Sequence, residues 1–296
     1  MHIWKKKKQG DGALTERVEI FEVGPRDGLQ NEARLIPVEE KIALVDCLSL
    51  AGFRRIECAS FVSPKWVPQM ADSAAVLAGI ARTPEVSYTA LTPNLRGFED
   101  ALAAGADEVA IFGSASEGFS KANINATIAE SLERFRPVAE AAVAAGVPLR
   151  GYVSCVVECP YDGVVAPDAV ARVVAALRDM GCYEVSLGDT IGRATPESIV
   201  AMLDAVLQEM PAERLAGHYH DTGGLACDNV EASLGLGLRV FDAAVGGLGG
   251  CPYAPGAAGN VATEAVAERV ASLGYEHGLN MDVVAEAAAM ARRMRG

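Results

Sequence analysis

The chain has 296 residues, half of them apolar and 22% charged, with a net charge of −13 at pH 7. That length can bury one large core or two ordinary ones. A nucleic-acid-binding protein is not expected, because Lys5–Lys8 is the one basic cluster and no basic face follows it. A membrane protein is not expected either, because no apolar run reaches the roughly 18 residues that a spanning helix needs.

Seven cysteines make an odd count, and their spacing suggests no disulfide framework. Cys155 and Cys159 have no second pair with which to complete a zinc site. These features favour a reducing compartment, and we expect a cytoplasmic protein. Residues 1–16 are predicted to form a flexible basic leader. It lacks the apolar stretch of a secretory signal and the Arg/Ser richness of a transit peptide.

Short β-branched runs alternate with Ala/Leu/Glu-rich amphipathic stretches, at a repeat of about 30 residues. Strands are predicted, in chain order, at 17–23, 55–61, 86–92, 108–113, 148–154, 184–189, 215–220 and 240–245. Helices are predicted between them at 38–51, 96–104, 126–145, 167–180, 197–209 and 225–237. An Ala-Gly or Met-Gly pair often ends a helix, as expected of a left-handed C-cap, at Gly52, Gly105, Gly146 and Gly181.

This alternation predicts an α/β protein with right-handed crossovers and a parallel sheet. Eight strand–helix units in about 260 residues fit a closed (β/α)8 TIM barrel better than an open sheet. Residues after about 258 are predicted to add further C-terminal helices. No linker divides the chain, so residues 17–296 are predicted to form a single catalytic barrel domain.

Polar residues cluster where the predicted strands end, which is the rim on which barrel enzymes place their active sites. The first strand is followed by Arg26 and Asp27, the second carries Glu57, and the sixth ends in Ser186 and Asp189. The seventh strand ends in His218 and His220, and a glycine-rich segment after the eighth carries Cys251 and Asn260.

The pair His218 and His220 is the most informative of these. Residues two apart in a strand face the same side, so both imidazoles are predicted to point into the barrel and Tyr219 outward. Two hydrogen-bonded core histidines are the alternative, but Asp27 and Asn260 on neighbouring strand ends favour a shared metal ion. Imidazole, carboxylate and amide donors suit octahedral Mg²⁺ or Mn²⁺, although two histidines and a carboxylate also describe non-haem iron sites.

Several segments resemble the 3-hydroxy-3-methylglutaryl-CoA lyase family over about residues 17–275. They are VGPRDGLQNE, SFVSPKWVPQM, LTPNLRGFE, RGYVSC, GCYEVSLGDTIG and GLGGCPYAPGAAGN. The Arg26-Asp27 pair is also typical of a wider superfamily of metal-dependent barrel enzymes that make or break carbon–carbon bonds. The chain departs from the family at Gly223, where an aromatic residue is more frequent, and this leaves a longer 3-hydroxy-3-alkylglutaryl-CoA open as the substrate. A condensing or aldolase enzyme of the same superfamily is a further alternative.

The resemblance implies retro-Claisen cleavage of 3-hydroxy-3-methylglutaryl-CoA to acetoacetate and acetyl-CoA, with Mg²⁺ or Mn²⁺, in a homodimer. Leucine degradation and ketone-body formation are pathways that would use this reaction. It implies ligation by Asp27, His218, His220 and Asn260. It implies catalytic parts for Arg26, Glu57, Asp189 and Cys251.

Elementary chemistry suggests the roles. Asp27 or, by preference, His218 would remove the hydroxyl proton, Arg26 would hold the developing oxyanion, and Cys251 would protonate the enolate carbon. Arg26 and Ser186 are candidate substrate contacts, and Lys65 is a candidate contact for the phosphates of CoA.

Each assignment has a structural alternative. Arg26 could form a salt bridge with Asp27 or Glu57, Glu57 could only orient Arg26, and Asp189 could cap the following helix. Cys251 could be a buried apolar residue, but the glycines around it predict a mobile lid that carries a thiol over the site. A barrel that only binds a metal ion or an acyl-CoA is the non-enzymatic alternative.

Overall fold

A computed structural model describes residues 16–249 and 259–295. Within these residues, eight parallel strands close into a barrel, with the last strand pairing with the first. Each strand pairs with its neighbours in the chain, so the predicted (β/α)8 TIM barrel is confirmed. The strands are β1 (Glu19–Glu22), β2 (Arg55–Ser60), β3 (Ser87–Leu91), β4 (Glu108–Ser114), β5 (Leu149–Ser154), β6 (Glu184–Asp189), β7 (Leu215–Tyr219) and β8 (Val240–Ala243).

Helices on the outside of the barrel connect the strands, and two more follow β8 as predicted. None of the helices in the described ranges is long and apolar enough to span a membrane. The helices are α1 (Val38–Ser49), α2 (Ser73–Gly79), α3 (Leu95–Ala103), α4 (Glu117–Ile124), α5 (Ile128–Ala145), α6 (Pro167–Asp179), α7 (Pro196–Val206), α8 (Ala226–Gly235), α9 (Thr263–Ser272) and α10 (Met281–Met294).

Three elements have no counterpart among the predicted ones: α2, α4 and the two-stranded hairpin Glu158–Cys159/Gly163–Val164. These elements are too short for a hydrophobic period to be recognised. The predicted helix ends are confirmed, because the four glycines following helices all have positive φ, a conformation that costs other residues more. The angles are 94° at Gly52, 90° at Gly105, 66° at Gly146 and 100° at Gly181.

The centre of the barrel contains a buried ionic network. Arg150 on β5 is fully buried and donates two hydrogen bonds, of 2.7 and 3.0 Å, to the carboxylate of Asp242 on β8. It donates a third, of 2.7 Å, to Glu184 on β6, which also pairs with Arg55. A buried guanidinium needs such partners, because an unpaired charge in the interior is strongly destabilising. This network therefore holds in place the interior side chains beneath the mouth of the barrel.

The C-terminal helices are joined to the barrel through Glu22 at the end of β1. Its buried carboxylate accepts backbone N–H groups of Gly24 and Val245, both at 2.9 Å, and the hydroxyl of Thr263 on α9 at 2.6 Å. The described structure gives this carboxylate no cationic partner. Burial therefore raises the pKa of Glu22 from 4.5 to about 7, although the hydrogen bonds oppose the rise.

Replacement Glu22→Gln should flatten the pH dependence of stability. Because the folded-state pKa is raised, the protonated carboxyl stabilises the wild type below about pH 4.5, and this contribution is lost as pH rises through about 7. A shift of this size corresponds to about 3 kcal/mol. Urea unfolding of both proteins at pH 5 and pH 8 measures it. If the unfolding free energy of the two proteins changed equally between pH 5 and pH 8, the prediction would be contradicted.

Candidate active site

A tight turn at the carboxyl end of β1 places Arg26 and Asp27 at the mouth of the barrel. The turn is the π-helical segment Gly24–Gly28. The Arg26 guanidinium donates from Nε to Glu57 Oε2 at 2.7 Å and from NH1 to Asp27 Oδ1 at 2.8 Å. Its NH2 group lies 2.5 Å from the same Glu57 oxygen. Both predicted salt-bridge alternatives are therefore present, and together they hold Arg26 in one orientation.

Glu57 on β2 is fully buried, and burial raises its pKa although Arg26 pulls it down. Its second oxygen, Oε1, has no hydrogen-bond partner among the described residues. Glu57 therefore contacts the site through Arg26, as expected of a residue that orients another.

Asp27, His218 and His220 each offer a ligand atom, and these atoms lie within 4.8 Å of one another. Within the described ranges, this is the one group of three or more His, Cys, Asp or Glu residues arranged to hold a metal ion. The Nε2 atom of His218 lies 3.9 Å from Asp27 Oδ2, and the two imidazole centroids are 5.4 Å apart. Asn260 joins them, because its Nδ2 donates to Asp27 Oδ2 at 2.7 Å. The structure thus brings the four side chains predicted as ligands into one cluster.

The charge states of His220 and Asp27 fit metal ligation, which needs neutral imidazoles and ionised carboxylates. Burial and the neighbouring His218 lower the pKa of His220 to about 4, and its Nδ1 has no partner among the described residues. Burial opposes ionisation of Asp27, but Arg26 and the two imidazoles lower its pKa below the ordinary value. The Asn260 amide faces Asp27 through nitrogen, and a half-turn of the amide would present its oxygen as a ligand.

Asp242, which is not among the predicted site residues, fixes the ring of His218. Its Oδ2 atom lies 3.1 Å from His218 Nδ1 and accepts the Ser186 hydroxyl at 2.7 Å. Burial favours the neutral ring, but the hydrogen bond to Asp242 raises the pKa of His218. A proton on Nδ1 leaves Nε2 directed at Asp27, which is the arrangement of a carboxylate–histidine–metal triad. An acidic residue inside an apolar strand next to the histidine strand was the available signal.

Known proteins share this architecture. The family model described as HMGL-like matches residues 17–291. The chain belongs to the HMGL-like family. A mitochondrial hydroxymethylglutaryl-CoA lyase of Bos taurus is 56% identical over 94% of this chain and 86% of its own length. A 3-hydroxy-3-isohexenylglutaryl-CoA/hydroxymethylglutaryl-CoA lyase of Pseudomonas aeruginosa is 57% identical over 93% of this chain and 91% of its own.

A solved structure agrees with both sequence relatives. The HMG-CoA lyase of Brucella melitensis superposes with a TM-score of 0.94 at 62% identity, covering 95% of this chain and 99% of that one. The resemblance stated from the sequence motifs is therefore confirmed.

Other residues predicted for this HMGL-like site lie outside the cluster. Ser186 is fully buried below it, and its hydroxyl is used by Asp242. Asp189 faces away from the barrel interior, because it pairs with Tyr219 while Gly188 pairs with His218. Its carboxylate accepts the backbone N–H groups of Arg193 at 3.2 Å and Ala194 at 2.9 Å, in the turn before α7. Catalytic or substrate-binding roles for Ser186 and Asp189 stay predictions.

Two further residues, Lys65 and Cys251, are predicted for the site. Lys65 is exposed on the loop after β2, and its predicted contact with CoA stays a prediction. Cys251, with the glycine-rich segment 250–258, lies outside the described residues, as does the predicted leader up to residue 15.

Tyr152 on β5 is a neighbour of the site that sequence analysis did not single out, although it lies in the RGYVSC motif. Its ring centroid is 5.6 Å from the Arg26 guanidinium and 4.9 Å from that of Arg150. The ring meets His218 edge to face, with centroids 6.3 Å apart. Burial raises the pKa of its hydroxyl well above the ordinary value, so the group stays protonated.

Replacement Asp242→Asn should weaken metal binding by about 10- to 100-fold, because His218 loses the carboxylate that orients it. Mn²⁺ titration followed by electron paramagnetic resonance measures the affinity. Glu184→Gln is the matched control, since Glu184 also binds Arg150 but does not contact His218. The Glu184 variant should keep the wild-type Mn²⁺ affinity. Equal weakening in both variants would mean that the effect passes through Arg150 instead.

Proposed function

We propose that this chain is a divalent-metal-dependent lyase that cleaves 3-hydroxy-3-methylglutaryl-CoA to acetoacetate and acetyl-CoA. The observation that carries the proposal is the cluster of Asp27, His218 and His220 beside the paired guanidinium of Arg26. The activity named for the Bos taurus and Pseudomonas aeruginosa relatives supports the same reaction.

Asp27, His218, His220 and Asn260 would hold the metal ion, for which we propose Mg²⁺ or Mn²⁺. Oxygen donors next to imidazoles favour these ions over a closed thiolate zinc site. Bound there, the ion would lower the pKa of the substrate's C3 hydroxyl and orient the bond to be broken.

For the base we propose Asp27 or, by preference, His218. The two oxygens of Asp27 accept hydrogen bonds from Arg26 and Asn260, at 2.8 and 2.7 Å, whereas the Nε2 atom of His218 lies 3.9 Å from Asp27, beyond hydrogen-bond distance. This base takes the C3 hydroxyl proton, and the hydroxyl oxygen becomes the ketone oxygen of acetoacetate. The electrons of the broken carbon–carbon bond then form the thioester enolate, whose oxygen Arg26 would stabilise. Cys251 would give the enolate carbon its proton.

The substrate would enter from the rim, with Arg26, Ser186 and Lys65 as proposed contacts. A homodimer is proposed from the family resemblance. For the compartment we propose the cytoplasm, because the six cysteines of the described residues are all free thiols, as expected in a reducing environment. Catalytic parts for Glu57, through Arg26, and for Asp189 complete the proposal.

A second substrate is favoured by one local feature. Gly223 follows β7 at the rim, and a Cβ atom there would lie 2.8 Å from the carbonyl oxygen of Gly192. This turn is therefore fitted to glycine and not to the aromatic residue that is more frequent in the family. The Pseudomonas aeruginosa relative is named for a 3-isohexenyl substrate as well. A longer 3-alkyl group is the alternative acyl chain.

Purified enzyme should release acetoacetate and acetyl-CoA from 3-hydroxy-3-methylglutaryl-CoA only with a divalent ion present. A chelator should abolish release, and added Mg²⁺ or Mn²⁺ should restore it. Comparison of kcat/KM for the 3-methyl and 3-isohexenyl thioesters decides which is preferred. Absence of cleavage of either thioester with saturating metal and fresh reductant would refute the proposed function.

Replacement Cys251→Ser should lower kcat by about 10²- to 10³-fold, because proton transfer by a positioned acid contributes about that much. Cys227→Ser is the control, since Cys227 is half-buried on the outer helix α8 and is no part of the metal cluster. Steady-state kinetics in fresh reductant compare the variants. A Cys251 variant as fast as the Cys227 variant would remove the thiol from the mechanism.

A further inference from the structure

The hydroxyl of Tyr152 is a buried polar group that neither the fold nor the roles assigned above use. Tyr152 is 8% exposed, and its hydroxyl has no hydrogen-bond partner among the described residues. Two more orphaned atoms there, Glu57 Oε1 and His220 Nδ1, belong to the site itself. Because a buried polar group without a partner is destabilising, such groups call for a ligand.

Three other tyrosines, two of them buried and one half-buried, have their hydroxyls satisfied by the fold. Tyr88 bonds Ser49 at 2.9 Å, Tyr219 bonds Ser233 at 2.7 Å, and Tyr183 donates to Glu108 at 2.7 Å. All three of these contacts are made by protein side chains. Tyr152 differs in that its ring faces the interior of the barrel next to Arg26 and His218.

The donors left on Arg26 indicate what Tyr152 could supply. A guanidinium has five N–H groups. The contacts of Nε and NH2 with Glu57 and of NH1 with Asp27 use three of them, so two remain. Both carboxylates also offset the positive charge of Arg26. An enolate oxygen forming beside Arg26 would therefore gain from a second, neutral donor, and oxyanion sites in other enzymes commonly combine several donors.

We propose that the Tyr152 hydroxyl donates a hydrogen bond to the thioester oxygen of the bound acyl-CoA, the atom that becomes the enolate oxygen. Arg26 and Tyr152 then form a two-donor site on the side of the metal cluster where Arg26 lies. This inference rests on the proposed function and adds a substrate-contacting residue to it. Since the negative charge develops only during cleavage, the hydroxyl acts mainly on kcat and less on KM.

Replacement Tyr152→Phe tests the role by removing one oxygen atom and no hydrogen bond of the free protein. We expect kcat to fall by about 10²-fold with KM little changed. Deuterium exchange into the methyl group of acetyl-CoA in D₂O forms the same enolate without cleavage, so its rate should fall in parallel. Mn²⁺ affinity and the midpoint of thermal unfolding should match those of the unaltered chain.

Tyr88→Phe is the matched control, because its hydroxyl bonds Ser49 and the backbone N–H of Thr83, remote from the mouth. That variant should unfold at a lower temperature and keep the wild-type kcat and exchange rate. A Tyr152 variant with unchanged kcat and exchange overturns the inference and leaves the proposed function intact. A loss of rate that only follows reduced stability or Mn²⁺ affinity overturns it as well. Absence of cleavage by the unaltered chain overturns both proposals.

Discussion

The geometry of the site depends on the ion pair between Arg150 and Asp242 at the centre of the barrel. Both side chains are buried, and the pair is bidentate, at 2.7 and 3.0 Å. Removing one partner of such a pair typically costs about 3–5 kcal/mol, because the other charge stays buried and unpaired. The carboxylate that neutralises Arg150 is also the one that holds His218. The orientation of the His218 imidazole is thus tied to an interaction that the folded barrel cannot easily lose.

A second constraint is the balance of charge at the mouth. Arg26 is held between the carboxylates of Asp27 and Glu57, so its positive charge is already offset. Because Arg26 is already paired, the mouth offers little free positive charge to an anionic acyl-CoA. The net charge of the whole chain is also negative, at −13. A divalent ion held by Asp27 and the two imidazoles would reverse the local charge, as bound ions often do. The arrangement explains why a metal ion suits this acidic barrel, with Arg26 serving as an oriented hydrogen-bond donor.

The sequence predicted a large part of both fold and site. Alternation of β-branched and amphipathic segments identified the eight strands, and the barrel closes in that order. The two-residue spacing of His218 and His220 predicted that both would face inward, with Tyr219 outward on Ser233 of α8. Asp27 could be placed near them because β1 and β7 both end at the same rim. These predictions needed only the local period of a strand and the rule that parallel strands end together.

What the sequence alone determined is the order of elements and the direction in which residues of one strand point, since both follow from local periodicity. The tertiary structure decided which residues meet across strands, because the pairing register is set by the closed barrel and not by any one strand. Register puts Gly188, not Asp189, beside His218, and sets Asp242 against its ring. It also leaves Tyr152 facing the site with its hydroxyl unbonded within the described residues. A shift of one residue in either strand would exchange these neighbours, and no local pattern in the chain fixes that shift.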